Sequence, residues 1–403
     1  MDDSQGQLAS AFRFHGKWQD FARIAVPNLL LTIVTLGIYR FWATTREREY
    51  LWSKTDFIDE RLEWTGRGVE LFVGFIMALI VILVPFFALQ FAIQALALRG
   101  YTGWSLLLTL MMFGFIMYMI GLARFRALRY RLSRTYWHGI RGGSDDQGFG
   151  YGWSYVWKTF AGTFALGLLV PWSMMDLWND RWNKMSFGPH KIDAVGNYAD
   201  TFKRYLLFYL MPILLFIGVL ASAALLGGAG AIGGPETGVI VGAVVVFSFY
   251  VGLGIVALAF YAKFFRVAVA GLSLHRLEFA FPAKTKDWFV LFLGDVGLWL
   301  LAALPVAAGL AAFGVFAGFQ MPDATASPDA IAGWTESLGL IIIALAFLPF
   351  ALVGPFIRYR HWKFFVTHME AYGEVNLDEL TQSTTVVSKH GEGLLDAFDV
   401  GAI

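Results

Sequence analysis

Six stretches of this chain, 71–98, 100–123, 205–235, 237–262, 296–322 and 337–357, contain no Asp, Glu, Lys or Arg. A helix rises about 1.5 Å per residue and the hydrocarbon core of a bilayer is about 30 Å thick, so each stretch is long enough to cross one. Hydrophobic residues make up 57% of the 403 positions and charged ones 15%, more apolar surface than a globular core of this size hides. The expected fold class is an all-α polytopic membrane protein, with about six transmembrane helices in three hairpins.

The cations give the expected orientation. Of 31 Lys and Arg, 29 fall in segments 1–23, 42–70, 124–158, 176–204, 263–288 and 358–403. The intervening connections near 99–103, 226–238 and 320–336 hold Arg99 alone. Basic segments stay on the cytoplasmic side of a membrane, so both termini and all the basic connections are expected there. The acidic start of the chain lacks the apolar run and small-residue cleavage pattern of a secretory leader.

Two uncharged runs, 24–39 and 159–175, are too short to cross comfortably. Displacing the chain by 130 positions superimposes Leu36, Gly37, Trp42, Trp52, Lys54 and Phe57 on Leu166, Gly167, Trp172, Trp182, Lys184 and Phe187. The short runs are therefore copies of one element, expected as short helices over 24–41 and 159–175. A full crossing by the second would invert every later basic segment, so an element that dips in and returns, or lies in the interface, is favoured over a short tilted span. The resulting organisation is an N-terminal segment 1–23, a first repeat 24–158 (spans 71–98 and 104–123), a second repeat 159–288 (spans 205–229 and 238–262), a third hairpin 289–357 and a tail 358–403. Gly37, Trp42, Trp52, Gly167, Trp172 and Trp182 are the candidate repeat and interface residues, with Trp42 at headgroup depth.

Five segments following the apolar runs mix aromatic and basic residues, among them "WATTREREYLWSK", "LARFRALRYRLSRTYWHGI" and "PWSMMDLWNDRWNK". Each is expected as an amphipathic helix on the membrane surface, its cations facing anionic headgroups, running into a small β-turn or hairpin. Together they would form a cytoplasmic collar; simple topological anchoring is the plainer alternative. Beyond residue 376 the polar tail is expected to be disordered with a short docking segment at 394–400.

Chemical motifs are sparse. Cysteine is absent, so disulfides, thiolate metal sites and Cys nucleophiles are excluded. No HExxH, GxSxG or Walker A pattern occurs, and Gly228, Gly230 and Gly233 spell GxGxxG without a preceding strand, which reads as a turn. The seven histidines show no metal-ligand spacing, and neither a metal nor a cofactor is expected. Within the apolar runs the polar residues stand out: Gln90 and Gln94 lie one turn apart, and Asp295 borders the fifth run. An intramembrane carboxylate suggests a proton or cation site, against the alternative of a headgroup-depth Asp paired with Lys or Arg. Gly238 with Gly242, and Gly314 with Gly318, have the spacing of close helix packing.

The segments "FRFHGKWQDF", "NLLLTIVTLGIYRFWA", "RYRLSRTYWHGIRG", "SFGPHKI" and "GEGLLDAFDVGAI" together resemble the YjgN-like inner-membrane proteins, a family defined as a domain of unknown function (DUF898). The resemblance covers nearly the whole chain and implies a bacterial inner-membrane protein with several helices. It carries no established activity and no catalytic residues. Phe41 stands where the family more often has Pro before Trp42; the second copy has Pro171 before Trp172. The expected partners are the bilayer, with anionic headgroups or another membrane protein, and not nucleic acid, since the net charge is only +1. A scaffold or envelope-maintenance role is the leading expectation, a transporter or channel for a small or lipid-like solute the alternative, and an enzyme is not expected.

Overall fold

The computed structural model describes residues 11–316, 327–373, 379 and 381–385, leaving aside some helix side chains between 215 and 245 and between 313 and 348. Its plan is one unit used five times: a helical hairpin followed by strands. In the first unit, α1 (Trp18–Val34) and α2 (Arg40–Ser53) precede β2 (Thr55–Phe57) and β3 (Glu60–Arg61), with β1 (Phe12–Phe14) ahead of them and β4 (Glu63–Trp64) behind. Next come α3 (Gly68–Leu98) and α4 (Thr102–Arg134) with β5 (Thr135–Trp137) and β6 (Ile140–Gly143). The third unit is α5 (Phe149–Phe164) and α6 (Val170–Trp182) with β7 (Ser186–Phe187) and β8 (His190–Ala194). The fourth is α7 (Ala199–Ala270) with β9 (Leu272–Leu274) and β10 (Leu277–Ala280); the fifth is α8 (Thr285–Phe316) and α9 (Pro328–His368) with β11 (Glu370–Tyr372).

Although α7 is helical throughout its 72 residues, it is a hairpin. Arg204 donates to the Ala259 carbonyl at 3.1 Å, Tyr205 packs on Phe260 at 5.3 Å, and Met211 lies beside Gly252. These antiparallel pairs centre near residue 232, within the stretch that carries the GxGxxG glycines. Among the described residues, five segments are long and apolar enough to cross a membrane by length and composition: Gly68–Leu98, Thr102–Arg134, Ala199–Gly218, Gly242–Ala270 and Thr285–Ala312. The sixth expected run, 337–357, lies inside α9, where many side chains are outside the described residues.

The two short runs are not single helices. Each is the bend of a hairpin: Leu36 and Gly37 have φ of 51° and 91°, and Leu166 and Gly167 have φ of 55° and 82°. Two consecutive left-handed residues reverse the chain, glycine at no steric cost and leucine at some strain. The Gly37 amide closes the first turn on the Thr32 carbonyl at 2.7 Å. The legs then run antiparallel, Asn28 donating to the Ala43 carbonyl and Lys17 meeting the Tyr50 hydroxyl. In the second copy Lys158 pairs with Asp176 at 2.6 Å and Trp157 packs on Trp172 at 5.7 Å. Both bends expose apolar side chains, with Leu36 94% and Leu166 78% accessible.

The all-α expectation needs correcting. The isolated turns expected at the collar pair with one another, giving a three-stranded antiparallel sheet β1-β2-β3 and an eight-stranded one in the order β4 to β11. Four hairpins have two-residue loops, Ile58–Asp59, 138–139, 188–189 and 275–276, and the first residue of each loop has positive φ. Such mirror-image turns match the right-handed twist of strands, and the His138-Gly139 pair, positive at both positions, is the type I′ form. Pairing continues between units: Trp64 with Thr135, Gly142 with Phe187, Ile192 with Leu274, and Glu278 with Tyr372. The sheet curls until Phe57, Trp137, Leu277 and Ala371 share one core with Phe12.

The second helical legs close a ring above the sheet. Trp52 on α2 donates to Thr135 next to α4 at 2.9 Å. Phe125 and Leu128 of α4 share a core with Trp178 of α6, which packs on Phe265 of α7 at 6.0 Å. Phe265 meets Phe365 of α9 at 5.8 Å, and Trp362 of α9 stacks back on Trp52 at 4.0 Å. Trp52 thus bridges three units, and Trp52→Ala is expected to cost about 3–5 kcal/mol, read as thermal unfolding in detergent. Because the sheet ties all the hairpins together, single cysteines replacing Asp59, Gly139, Pro189 and Arg276 are expected to react with an impermeant thiol reagent from one and the same side of the membrane.

Candidate functional site

Inside the ring lies a cavity of about 760 Å³, and it obeys the helical period. Its wall is formed at i, i+3, i+4 and i+7 by Arg48, Leu51, Trp52 and Thr55 from the first unit and Leu128, Arg131, Leu132 and Thr135 from the second. Trp178, Arg181 and Trp182 follow from the third, Phe265, Val269 and Leu272 from the fourth, and Trp362, Phe365, Val366 and Met369 from the fifth. The floor consists of Phe57, Trp137, Phe187 and Leu274, each the residue just before its two-residue turn. A five-membered ring of helices is too wide for side chains of this size to fill, so a chamber remains.

Sequence reading turned the collar's cations outward toward headgroups, but four arginines and a glutamate line this interior: Arg48, Arg131, Arg181, Arg358 and Glu47. Glu47, 4% exposed, receives Nε and Nη2 of Arg358 at 3.0 and 2.6 Å. Arg48 lies 5.1 Å over the Trp64 ring, and Arg131 donates to the Ala127 carbonyl at 3.3 Å. Arg181 lies over the Trp178 ring at 5.5 Å and makes no hydrogen bond or ion pair among the described residues. Burial pushes its guanidinium below the usual arginine range, Tyr151 opposing that shift and Arg124 adding to it. The wall is otherwise aromatic and aliphatic, and its described residues include four guanidinium groups and one carboxylate. An apolar pocket with a few converging polar groups is the usual form of a small-molecule site. What it favours chemically is a molecule with an apolar body and an anionic head.

The tryptophans divide the wall. Trp52 and Trp362 have acceptors in Thr135 and Thr55, whereas the indole nitrogens of Trp178 and Trp182 are buried without one. Trp52 and Trp182, singled out by the repeat, therefore both line the chamber. Trp42 instead packs on Gly68 and Phe72, Trp172 on Trp157, and Gly37 and Gly167 form the two bends.

Asp295 stands one residue outside the wall. His361 Nε2, on a chamber-lining residue, is 2.7 Å from its Oδ2, and Arg360 Nη1 is 3.3 Å from Oδ1. Arg360 also donates to the Leu291 carbonyl and lies across Gly294, where a Cβ would fall within 2 Å of its Nη2 atom (1.8 Å). Gln90 and Gln94 are far from this cluster in the fold and have no hydrogen-bond partner among the described residues. Gly242, read as a packing glycine, has no neighbouring atom within 4 Å of its Cβ position among the described residues. Three histidines sit at or beside the sheet's turns: His138 with Asp59 and Glu60 at 3.0 Å, and His190 stacked on His275 at 4.4 Å. No group of three or more such residues among the described residues is arranged to hold a metal ion.

The tail also docks. Arg141, buried in β6, donates to the Ser383 and Thr385 carbonyls, and Gln382 Nε2 donates to the Gly139 carbonyl at 2.8 Å. Expected docking at 394–400 falls outside the described residues. The inward cations were missed because each unit was read alone; aligning the units on their hairpins shows the shared phase. Removing the Glu47 charge takes the carboxylate from its two hydrogen bonds with Arg358. Glu47→Gln is expected to cost about 1–3 kcal/mol, less than a fully buried pair because Arg358 keeps solvent contact, and a double-mutant cycle with Arg358→Gln should recover most of it.

The family model of a bacterial protein of unknown function, DUF898, matches residues 9–397. The chain is 38% identical over 64 residues to an inner membrane protein, YjgN, of Escherichia coli strain K12, covering 16% of each chain. It is 30% identical over 132 residues to the YjgN of Escherichia coli O157:H7 and 25% over 130 to that of Salmonella typhimurium, covering 32% of this chain and 30% of each relative. The matched stretches thus span less than a third of those relatives. No solved structure matches. With the model matching almost from end to end, this chain belongs to the DUF898 family of bacterial proteins.

Proposed function

We propose that this is a multi-pass inner-membrane protein, both termini cytoplasmic, whose collar is a lipid-binding scaffold and whose chamber receives an amphiphile from the inner leaflet. The observation that carries this reading is the lining itself, aromatic and aliphatic yet ringed with arginine. Chain lengths support the placement. From Arg124, one turn before the wall residue Leu128, α4 extends 22 residues to Thr102, about 33 Å and enough to cross a bilayer. From the equivalent Thr44 and Met174, the bends at Leu36 and Leu166 lie eight residues away, about 12 Å, so these units enter the membrane and return. The chamber then lies at headgroup depth on the side where the cations collect. The role is binding and not catalysis.

A transporter or channel for a small or lipid-like solute is the second reading. It is favoured by the Asp295–His361 contact, which joins an apolar helix to the chamber wall.

Organic extraction of the detergent-purified protein, followed by mass spectrometry, tests the first reading. Near-stoichiometric amphiphile is expected, and Leu132→Trp, which narrows the chamber at a cost of about 1–3 kcal/mol in overpacking, should empty it. The same lipids recovered in equal amount from both would defeat the proposal. Loss of flux but not of bound lipid in Asp295→Asn would favour transport.

A further inference from the structure

Resting on the chamber as an amphiphile site, we infer that Arg181 is the residue that reads the ligand's head, and that this head is a single oxyanion, a phosphate ester or a carboxylate.

The four chamber arginines are not equivalent. Arg358 is neutralised by Glu47, Arg48 is 5% exposed against Trp64, and Arg131 has a carbonyl acceptor. Arg181 has the face of Trp178 and nothing to accept its protons among the described residues, and its Nε is a buried donor without a partner. The nearest carboxylate on its own helix, Asp180, is held by Lys158 and Lys184. Tyr151 is held above its ordinary value chiefly by burial, stays neutral and offers no countercharge.

An enclosed guanidinium cannot escape this by losing its proton, as lysine can, so an uncompensated Arg is a standing cost to the fold. Arg181 is ringed by protein, and the surface it retains is chamber wall. One turn of α6 concentrates the deficit: Trp178, Arg181 and Trp182, at i, i+3 and i+4, share a face, and all three carry buried N–H donors without acceptors. The two indoles belong to residues that line the chamber. An oxyanion at this face accepts from several donors at once while its apolar part occupies the volume bounded by Leu128, Leu132 and Phe265.

The test uses the full-length protein stripped of endogenous lipid in detergent. The probes are dioleoyl phosphatidate, palmitate, uncharged dioleoylglycerol and inorganic phosphate, and binding is read by native mass spectrometry. Phosphatidate or palmitate is expected to bind at least about tenfold more tightly than dioleoylglycerol, since charged hydrogen bonds supply the difference. Arg181→Met should weaken the anionic amphiphiles about ten- to a hundredfold and leave dioleoylglycerol unchanged, and Arg181→Lys should recover part of the loss. In the stripped protein Arg181→Met should hold or raise the melting temperature, because it removes a buried charge that has no partner; a merely structural arginine would lower it. If all three amphiphiles bind alike and neither variant alters them, Arg181 is not the reader, although the chamber reading survives. If none binds, the chamber reading itself falls. Inorganic phosphate competing as well as phosphatidate would overturn the amphiphile half of the assignment and point to a soluble anion.

Discussion

Pairing of strands between consecutive hairpins is the constraint on which the rest of this molecule depends. A two-stranded hairpin is marginal alone in water, and strands of two to five residues are shorter still. Each hairpin is held because its outer edge pairs with the next, from Trp64 against Thr135 round to Glu278 against Tyr372. Once the strands are joined in this order, the helices above them have no choice of side. All five helical hairpins must stand on one face of the sheet, and their second legs must converge.

Convergence creates the chamber. Four helices around an axis can fill their centre with leucine-sized side chains, whereas five leave a gap. This protein lines the gap with large aromatics, Trp52, Trp178, Trp182, Phe265 and Trp362, and still leaves about 760 Å³. The charges placed there are far from uniform. Glu47 and Arg358 pair with each other, while Arg181 has no counterion among the described residues. A buried ion pair is a weak source of stability, but a lone buried cation works against it, and retaining one is most economically explained by what it binds.

The duplicated segment and the long hairpins are variants of one unit. The shift of 130 positions relates the first unit to the third, which are the short ones. The long units differ in the distance they run beyond the chamber rim before turning. Length alone separates the long helix pairs from the short ones, and the left-handed Leu-Gly bend makes the shorter turn possible.

Read alone, the sequence determined the apolar runs, the one-sided distribution of cations and the repeat of Leu-Gly in the two short segments, because these depend on composition and spacing; that the Leu-Gly pairs are bends came from the structure. It also pointed to Asp295 and to the aromatic and basic units. It did not show that His361 and Arg360 flank Asp295, since those residues are brought together across 65 or more positions by helix packing. Nor did it show which way the collar's cations face. Amphipathic periodicity says that Arg181, Trp178 and Trp182 share one side of a helix, but whether that side meets headgroups or an enclosed chamber depends on whether a ring closes. Closure is set by the stacking of Trp52 on Trp362 and by strand pairing between units, long-range contacts with no local signature, and only the tertiary structure decides them.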